Sequence, residues 1–300
     1  MKRFYPVFLL VISLLYPALD TFGQQDDEII TVDSSIVLIN ATITDNAGKA
    51  VSGLTQKQFH VFEDGGEQEI KTFAAEATPF AAVVLIDTSG SMETRVSMAR
   101  AAAIKFLDGL RASDFAAIYR FDSKVVMVQD FSNSRDISES IFDLKADGMT
   151  VLNDAVFRAA DILGKRKEQR RAIIVLSDGE DTQSGHSADA ALKAAMATGA
   201  TIYTVDMSSP DETNGRRAVG QGALKNFSTK SGGTFVAAAG GQAMRDAFKR
   251  IVEELGNQYT IAYQPKEIKK DGKWHTLEVR VAKPNLTIRT RKGYHAPKAK

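Results

Sequence analysis

A chain of 300 residues that is 44% hydrophobic and 25% charged has the composition of an ordinary globular protein, with room for one large or two modest domains. Its formal charge of +1 gives no global pull toward nucleic acid or a membrane surface, and its lack of cysteine excludes disulfides, thiolate catalysis and cysteine-held zinc together. The four histidines (His60, His186, His275 and His295) are scattered and show none of the spacings of a histidine metal site.

Met1-Lys2-Arg3 is a short positive region, 4–19 is almost wholly apolar, and polar residues follow from Gln24. This pattern predicts a secretory signal over 1–23, cleaved near Gly23; an uncleaved anchor is the competing reading, disfavoured because the apolar run is shorter than the ~20 residues a membrane span needs. No cysteine follows to carry a lipid anchor. The mature protein is therefore expected to be exported, periplasmic or extracellular, with no transmembrane span after signal removal.

Residues 24–80 read as an N-terminal β-strand region. Strands are expected at 36–39 and 41–44 with a turn at 45–48, and at 59–62 and 68–73 as a hairpin around Glu63-Asp-Gly-Gly-Glu67. Residues 81–256 change character. Apolar strands at 81–87, 115–121, 125–131, 172–177, 201–206 and 234–237 alternate with helical spacing from about Glu93, over 156–163, 188–197 and 244–255. Gly199, Gly232-Gly233 and Gly256 stand where helices should stop. Strand–helix alternation predicts an α/β fold, a doubly wound, Rossmann-like, mostly parallel sheet covered on both faces. Residues 257–297 return to strands at 259–263, 274–282 and 286–291. Neither flanking piece has enough strands for a stable sheet alone. The expectation is that the α/β domain is inserted in, or flanked by, a small β-sandwich built from N- and C-terminal strands.

The chemistry is carried by Asp87-Thr88-Ser89-Gly90-Ser91 at the end of an apolar strand. A carboxylate and two hydroxyls, each two residues apart, can aim oxygens at one point, as a hard divalent cation requires. Ser177-Asp178-Gly179-Glu180-Asp181 follows a second apolar strand, and Gly148-Met149-Thr150 precedes a helix. In open parallel sheets ligands bind beyond the carboxyl ends of strands, where strand order reverses. Asp87 and Asp178 both belong at such ends, and Thr150 lies in a loop that can close over the same edge. Ser91 read alone is a helix cap, and Asp154 is expected to cap its helix rather than bind metal. Asp122 is read as turn chemistry, and Phe106, Phe115 and Phe121 as core.

These three segments, in this order and spacing, resemble the von Willebrand factor type A domain over about 81–256. The flanks, Val51 to Gly65 and Asp271 to Tyr294, are similar to a bacterial group of von Willebrand factor type A-related proteins. The resemblance implies a metal-ion-dependent adhesion site formed by Asp87, Ser89, Ser91, Thr150 and Asp178. It implies Mg²⁺, with Mn²⁺ or Ca²⁺ as alternatives, and a protein partner that offers an Asp or Glu carboxylate to the metal. Two carboxylates against a divalent cation leave about zero local net charge, so the metal stays electrophilic toward such a partner. A hydrolytic site would need a general base or a second metal, and no histidine lies in the three segments. The expectation is a non-enzymatic binding module. The alternatives are a structural envelope protein whose metal staples loops, or a metal-dependent hydrolase. The basic run at 164–171 is expected on the face opposite the metal. That run and the basic C-terminal stretch are read as solvated surface, and no nucleic-acid partner is expected.

Overall fold

The computed structural model describes residues 36–75, 78–133, 138–208, 215–238, 241–267 and 269–298. The expected signal over 1–23 and the first part of the N-terminal β region lie outside them. Among the described residues no helix is long and apolar enough to cross a membrane.

The chain begins with four strands, β1 (Val37–Asp45), β2 (Phe59–Glu63), β3 (Gly66–Gln68) and β4 (Ile70–Ala74). A strand–helix region follows: β5 (Phe80–Asp87), α1 (Val96–Asp108), β6 (Phe115–Phe121), β7 (Val125–Ser132), α2 (Leu152–Gly164), β8 (Arg170–Ser177) and α3 (Ala188–Ala197). It continues through β9 (Ala200–Asp206), α4 (Gly215–Ser231), β10 (Phe235–Ala237) and α5 (Gly241–Gly256). The last strands are β11 (Tyr259–Tyr263), β12 (Trp274–Val281), β13 (Leu286–Arg289) and β14 (Gly293–His295).

The central sheet has the order β10-β9-β8-β5-β6-β7, parallel except for β7, which runs antiparallel to β6. Every residue of β5 is buried because each face of the strand meets helices. Phe80, Ala82, Val84 and Ile86 join one core with α1 and α5. Ala81, Val83 and Leu85 join the other with α2, α3 and α4. Successive strands run outward from β5 in one direction through β6 and β7, and in the other through β8, β9 and β10. The switch in strand order therefore lies between β5 and β8, and Ile86 is paired with Leu176 across it.

The flanking strands form two four-stranded sheets, β13-β1-β11-β4 and β14-β12-β2-β3. Their inner faces share a core that includes Ile39, Val61, Tyr259, Tyr263 and Val279. β1 pairs with β11, and β2 with β12, so chain from both sides of the α/β region builds one sandwich. The α/β fold with a flanking β-sandwich is as the residue pattern predicts.

Details differ. The two strands expected over 36–44 are the single strand β1, which continues through Asn40. The hairpin at Asp64-Gly65 closes β2 onto the short β3, not onto the longer strand after it. That strand, β4, crosses to the other sheet and pairs with β11, because its half-buried Phe73 packs against Phe59 and Tyr259. The helix α4 is marked in the sequence only by its stop at Gly232-Gly233: Gly220 and Gly222 interrupt its pattern, and Leu224 and Phe227 supply its buried contacts. Phe106 and Phe121 are core, but Phe115 is half-buried beneath the Arg166 guanidinium, 5.0 Å from the ring centroid.

The basic stretches are not all solvated. Arg166 stacks on Phe131 and pairs with Glu168 at 2.7 Å. Arg170, fully buried at the amino end of β8, donates to Thr260 Oγ1 at 2.9 Å, to the Ala75 carbonyl at 2.9 Å and to the Thr78 carbonyl at 3.4 Å. The sandwich thus docks on the edge of the central sheet opposite the carboxyl ends of its strands. Arg289 pairs with Glu254 on α5, and Arg291 donates to the carbonyls of Leu38 and Met196. Burial pulls the Arg291 guanidinium down to about 10.

Candidate metal centre

The site is assembled from strand ends. β5 and β8 are adjacent and in register, so Asp87 and Ser177-Asp178 emerge side by side at the switch point. Asp87 is fully buried, and Ser89, Thr150 and Asp178 are nearly so, while Ser91 is exposed.

The side-chain oxygens form an unbroken line. Ser89 Oγ donates to Asp87 Oδ1 at 2.6 Å and lies 3.2 Å from Ser91 Oγ, which donates to Asp178 Oδ2 at 2.6 Å. The main-chain amide of Ser89 also donates to Asp87 Oδ1, at 2.9 Å, which fixes the turn between them. The spacing can be compared with a coordination shell. Neighbouring oxygens around an octahedral Mg²⁺ at about 2.1 Å lie about 3 Å apart. Oxygens 2.6–3.2 Å apart along this line already have nearly that spacing. The donor set of carboxylates and hydroxyls suits a hard cation, so these residues fit one. Burial pushes the Asp87 carboxyl up to about 7, against the opposing pull of the Ser177 and Ser89 hydrogen bonds.

The third segment is stitched to the other two through its main chain. The Gly90 amide donates to the Gly148 carbonyl at 3.1 Å, and the Asp147 amide to the Thr88 carbonyl at 2.8 Å. The Thr150 amide donates to Thr182 Oγ1 at 2.9 Å, and the Thr150 carbonyl accepts from the amides of Thr182 and Gln183. Gly148 turns this loop at φ 78°, a conformation that favours glycine. The structure therefore brings the segments of all five sequence-derived residues to one edge, with the side chains of Asp87, Ser89, Ser91 and Asp178 in direct succession.

Other assignments change. The Ser91 hydroxyl reaches Asp178 rather than capping α1. Asp154 does not cap its own helix. Its carboxylate accepts from the amides of Gly185 and His186, each at 2.9 Å, and faces His186 Nδ1 at 2.6 Å. The first amides of α2 are instead taken by Asp181 and Ser184. Asp122 pairs with Arg120 and receives the Thr88 hydroxyl at 3.4 Å, so the turn also braces the site.

Three supporting groups carried no assignment in the sequence. Ser177 Oγ donates to Asp87 Oδ2 at 2.5 Å and accepts from the Gly179 amide, so it orients the buried carboxylate. Thr182 holds the Thr150 main chain. Gly220 of α4 sits so close to the Asp178 carbonyl that a methyl group there would run into it, and Gly179 meets Gly220 in the same way. Ser177 was visible in its motif. The partners of Thr182 and Gly220 lie far away in sequence and leave no local signal.

The glycine contact yields a prediction. Gly220→Ala is expected to displace the 178–179 turn and weaken divalent-cation affinity roughly tenfold, an overpacking effect of about 1–2 kcal/mol. Far-UV circular dichroism should stay unchanged. Unaltered affinity by calorimetry would show that the α4 contact does not position Asp178.

Residues 82–180 match the model of the von Willebrand factor type A domain. Inter-alpha-trypsin inhibitor heavy chain H3 of Bos taurus is 29% identical over 116 residues, 34% of this chain and 13% of the bovine protein's length. Among solved structures, a von Willebrand factor type A protein from Catenulispora acidiphila superposes with a TM-score of 0.51 at 15% identity, covering 81% of this chain and 74% of that one. The von Willebrand factor domain of a type V pilus tip protein from Porphyromonas gingivalis gives 0.50 at 15% identity, over 59% of this chain and 94% of that one. At these identities the structural likenesses show a shared fold.

Proposed function

We propose that this chain, which carries a von Willebrand factor type A domain, is an exported, non-enzymatic protein-binding module that grips its partner through a divalent cation, Mg²⁺ first among candidates. Domains of this type are protein-interaction modules, often with a metal site. The reading assigns Asp87, Ser89, Ser91, Thr150 and Asp178 as the residues that hold the ion, within a domain set at 81–256 between β regions at 24–80 and 257–297. The cation, when bound, supplies an electrophile to which a partner's Asp or Glu carboxylate can coordinate.

The observation that carries the reading is the oxygen line Asp87–Ser89–Ser91–Asp178, buried at Asp87 and exposed at Ser91. A site closed on its protein side and open at one hydroxyl leaves a position for an outside ligand. The surroundings suit a protein surface. Met149, next to Thr150, is 49% exposed, and Phe142 is 56% exposed. Methionine and aromatic residues are enriched where proteins meet. Lys124 and Lys145 line a cleft of about 370 Å³ that reaches Gly148, beside the same loops. Asp122, Asp143 and Asp147 line it as well, so its charge is mixed and it selects no partner by sign. The pilus tip protein noted above is an instance of this fold in a protein named for a pilus tip.

Removing one hydroxyl ligand tests the assignment mildly. Ser89→Ala is expected to weaken Mg²⁺ binding by about tenfold, as one lost ligand of about 1–2 kcal/mol would. In chelator it should unfold somewhat earlier than wild type, because the buried Asp87 carboxylate loses one of its donors, with Ser177 and the Ser89 amide retained. The functional claim is tested by capture of partners from an envelope extract with Mg²⁺ and with chelator. Proteins retained by wild type in Mg²⁺, and lost both in chelator and from Asp87→Ala, are the predicted result. Retention indifferent to metal, with a melting temperature that still falls in chelator, would make the ion a structural staple instead.

A further inference from the structure

A second crowd of ionisable groups lies in the β-sandwich, outside the metal edge. His275 on β12 is buried, and both its ring nitrogens face carboxylates. Nδ1 lies 2.7 Å from Asp64 Oδ2 and 3.7 Å from Glu63 Oε1, and Nε2 lies 3.3 Å from Asp271 Oδ1. A neutral imidazole has one N–H and one lone pair, so one of these contacts would set lone pair against lone pair. An imidazolium donates to both sides.

The surrounding groups come from every neighbouring element. Glu63 on β2 accepts the hydroxyls of Tyr263 on β11 at 2.6 Å and Tyr294 on β14 at 3.2 Å. Asp64, in the β2–β3 turn with φ 48°, accepts from the Thr276 amide at 2.9 Å and the Lys269 ammonium at 3.2 Å. Asp271 accepts from the Lys273 amide at 2.9 Å. The Tyr294 ring lies 5.7 Å from the imidazole. Three carboxylates face two cations, Lys269 and the protonated His275; Glu63 and His275 are buried, while Asp64, Asp271 and Lys269 reach solvent.

We propose that His275 is a proton-operated clasp: protonated, it ties the β2–β3 turn and the segment before β12 to the β12–β14 edge, and deprotonated it lets that edge of the sandwich loosen. Burial pulls the imidazole down, but the hydrogen bonds it donates to Asp64 and Asp271 outweigh it and raise His275 above its ordinary 6.5. The His275 hydrogen bond holds Asp64 well below the usual carboxylate range, and the Lys273 amide and His275 lower Asp271. The signs follow from linkage. The raised histidine stabilises fully below its unfolded value of 6.5 and loses that contribution as pH rises through its folded value. The depressed acids stabilise above 3.8 and lose their contribution as pH falls below it. The clasp is therefore tightest in mildly acidic solution and opens on the alkaline side. Ligand atoms of Glu63, Asp64 and His275 also lie within 4.8 Å of one another, close enough for a cation. The tyrosine hydroxyls and the Lys269 ammonium already occupy those oxygens, which favours a proton over a metal.

The test uses the full chain. Nitrogen chemical shifts of the His275 ring should show both N–H groups at about pH 6 and a titration midpoint above the ordinary histidine value. Amide exchange over 269–276 and 293–298, corrected for intrinsic rates, should be about tenfold faster near pH 8.5 than near pH 5.5, the change that losing one hydrogen bond to a charged group brings. His275→Gln should exchange fast at both pH values while its Mg²⁺ affinity matches wild type, so the clasp is judged separately from the metal site. A neutral His275 near pH 6, or exchange independent of pH, overturns the proposal. So does Zn²⁺ raising the melting temperature of Asp87→Asn but not of the double variant Asp87→Asn with His275→Gln, which would make the cluster a metal site. If His275→Gln fails to fold, the wild-type ring titration decides.

Discussion

Arg170→Met is expected to be the most damaging single substitution away from the metal edge, costing about 3–5 kcal/mol of stability. The guanidinium is fully buried where the sandwich meets the central sheet, and it serves acceptors in both: Thr260 on β11 and the carbonyls of Ala75 and Thr78 in the connection to β5. Methionine fills much of the volume but donates nothing, so Thr260 Oγ1 and the Ala75 carbonyl lose their strongest donor, while the Thr78 carbonyl keeps Arg111. Each unsatisfied group costs about 1–3 kcal/mol. Lysine is not a substitute, because a point charge cannot reproduce a fork that reaches three acceptors. A melting temperature about 6–15 °C below wild type is the expected reading. A change of a degree or two would show that the sandwich docks through its apolar contacts and that Arg170 is incidental.

Asp87→Asn is expected to have two opposite effects. Divalent-cation binding should be abolished, since the buried carboxylate holds the first hydroxyl of the oxygen line and is itself held by Ser177. Yet in chelator the variant should be more stable than wild type, by about 1–3 kcal/mol. Without an ion, the fold must bury a carboxylate at the end of β5 and place Asp178 close by, an arrangement that burial and like charge both oppose. Asparagine keeps an acceptor for the Ser89 amide and removes the charge. In saturating Mg²⁺ the order should reverse, because the wild type gains binding energy that the variant cannot. Thermal unfolding with chelator and with Mg²⁺ reads both effects. A variant less stable than wild type in both media would mean that Asp87 is a structural acceptor, not a ligand retained at a cost.

Much of the site could be read from the chain because its polar residues follow directly on apolar strands. Asp87 ends a run buried on both faces, and Asp178 follows its neighbour β8, so the alternation that identifies the sheet also places both carboxylates at one edge. What could not be read depends on residues distant in sequence. Gly220 is required by the Asp178 carbonyl, and nothing within α4 announces it. The helix is hard to see for the same reason: its glycines serve a neighbour, and its buried residues are few. Arg170, Arg289 and Arg291 look like solvated charge in the sequence, but each finds buried or half-buried partners when the sandwich closes on the α/β region. Strand β4 pairs with β11 rather than with β2 because Asp64-Gly65 already closes a hairpin with the three residues of β3, which leaves the strand beyond free to change sheets.

The central claim is that the segments around Ser89, Thr150 and Asp178 converge on one cation that keeps a position open to the outside. Water-proton relaxation during titration of the full chain with Mn²⁺ tests it most directly, because it registers bound metal and its contact with exchanging water together. The account predicts one strongly relaxing site in wild type, quenched by a carboxylate-bearing partner and absent from Asp178→Ala. Mn²⁺ binding retained in Asp178→Ala, or bound metal that relaxes no water, would contradict it.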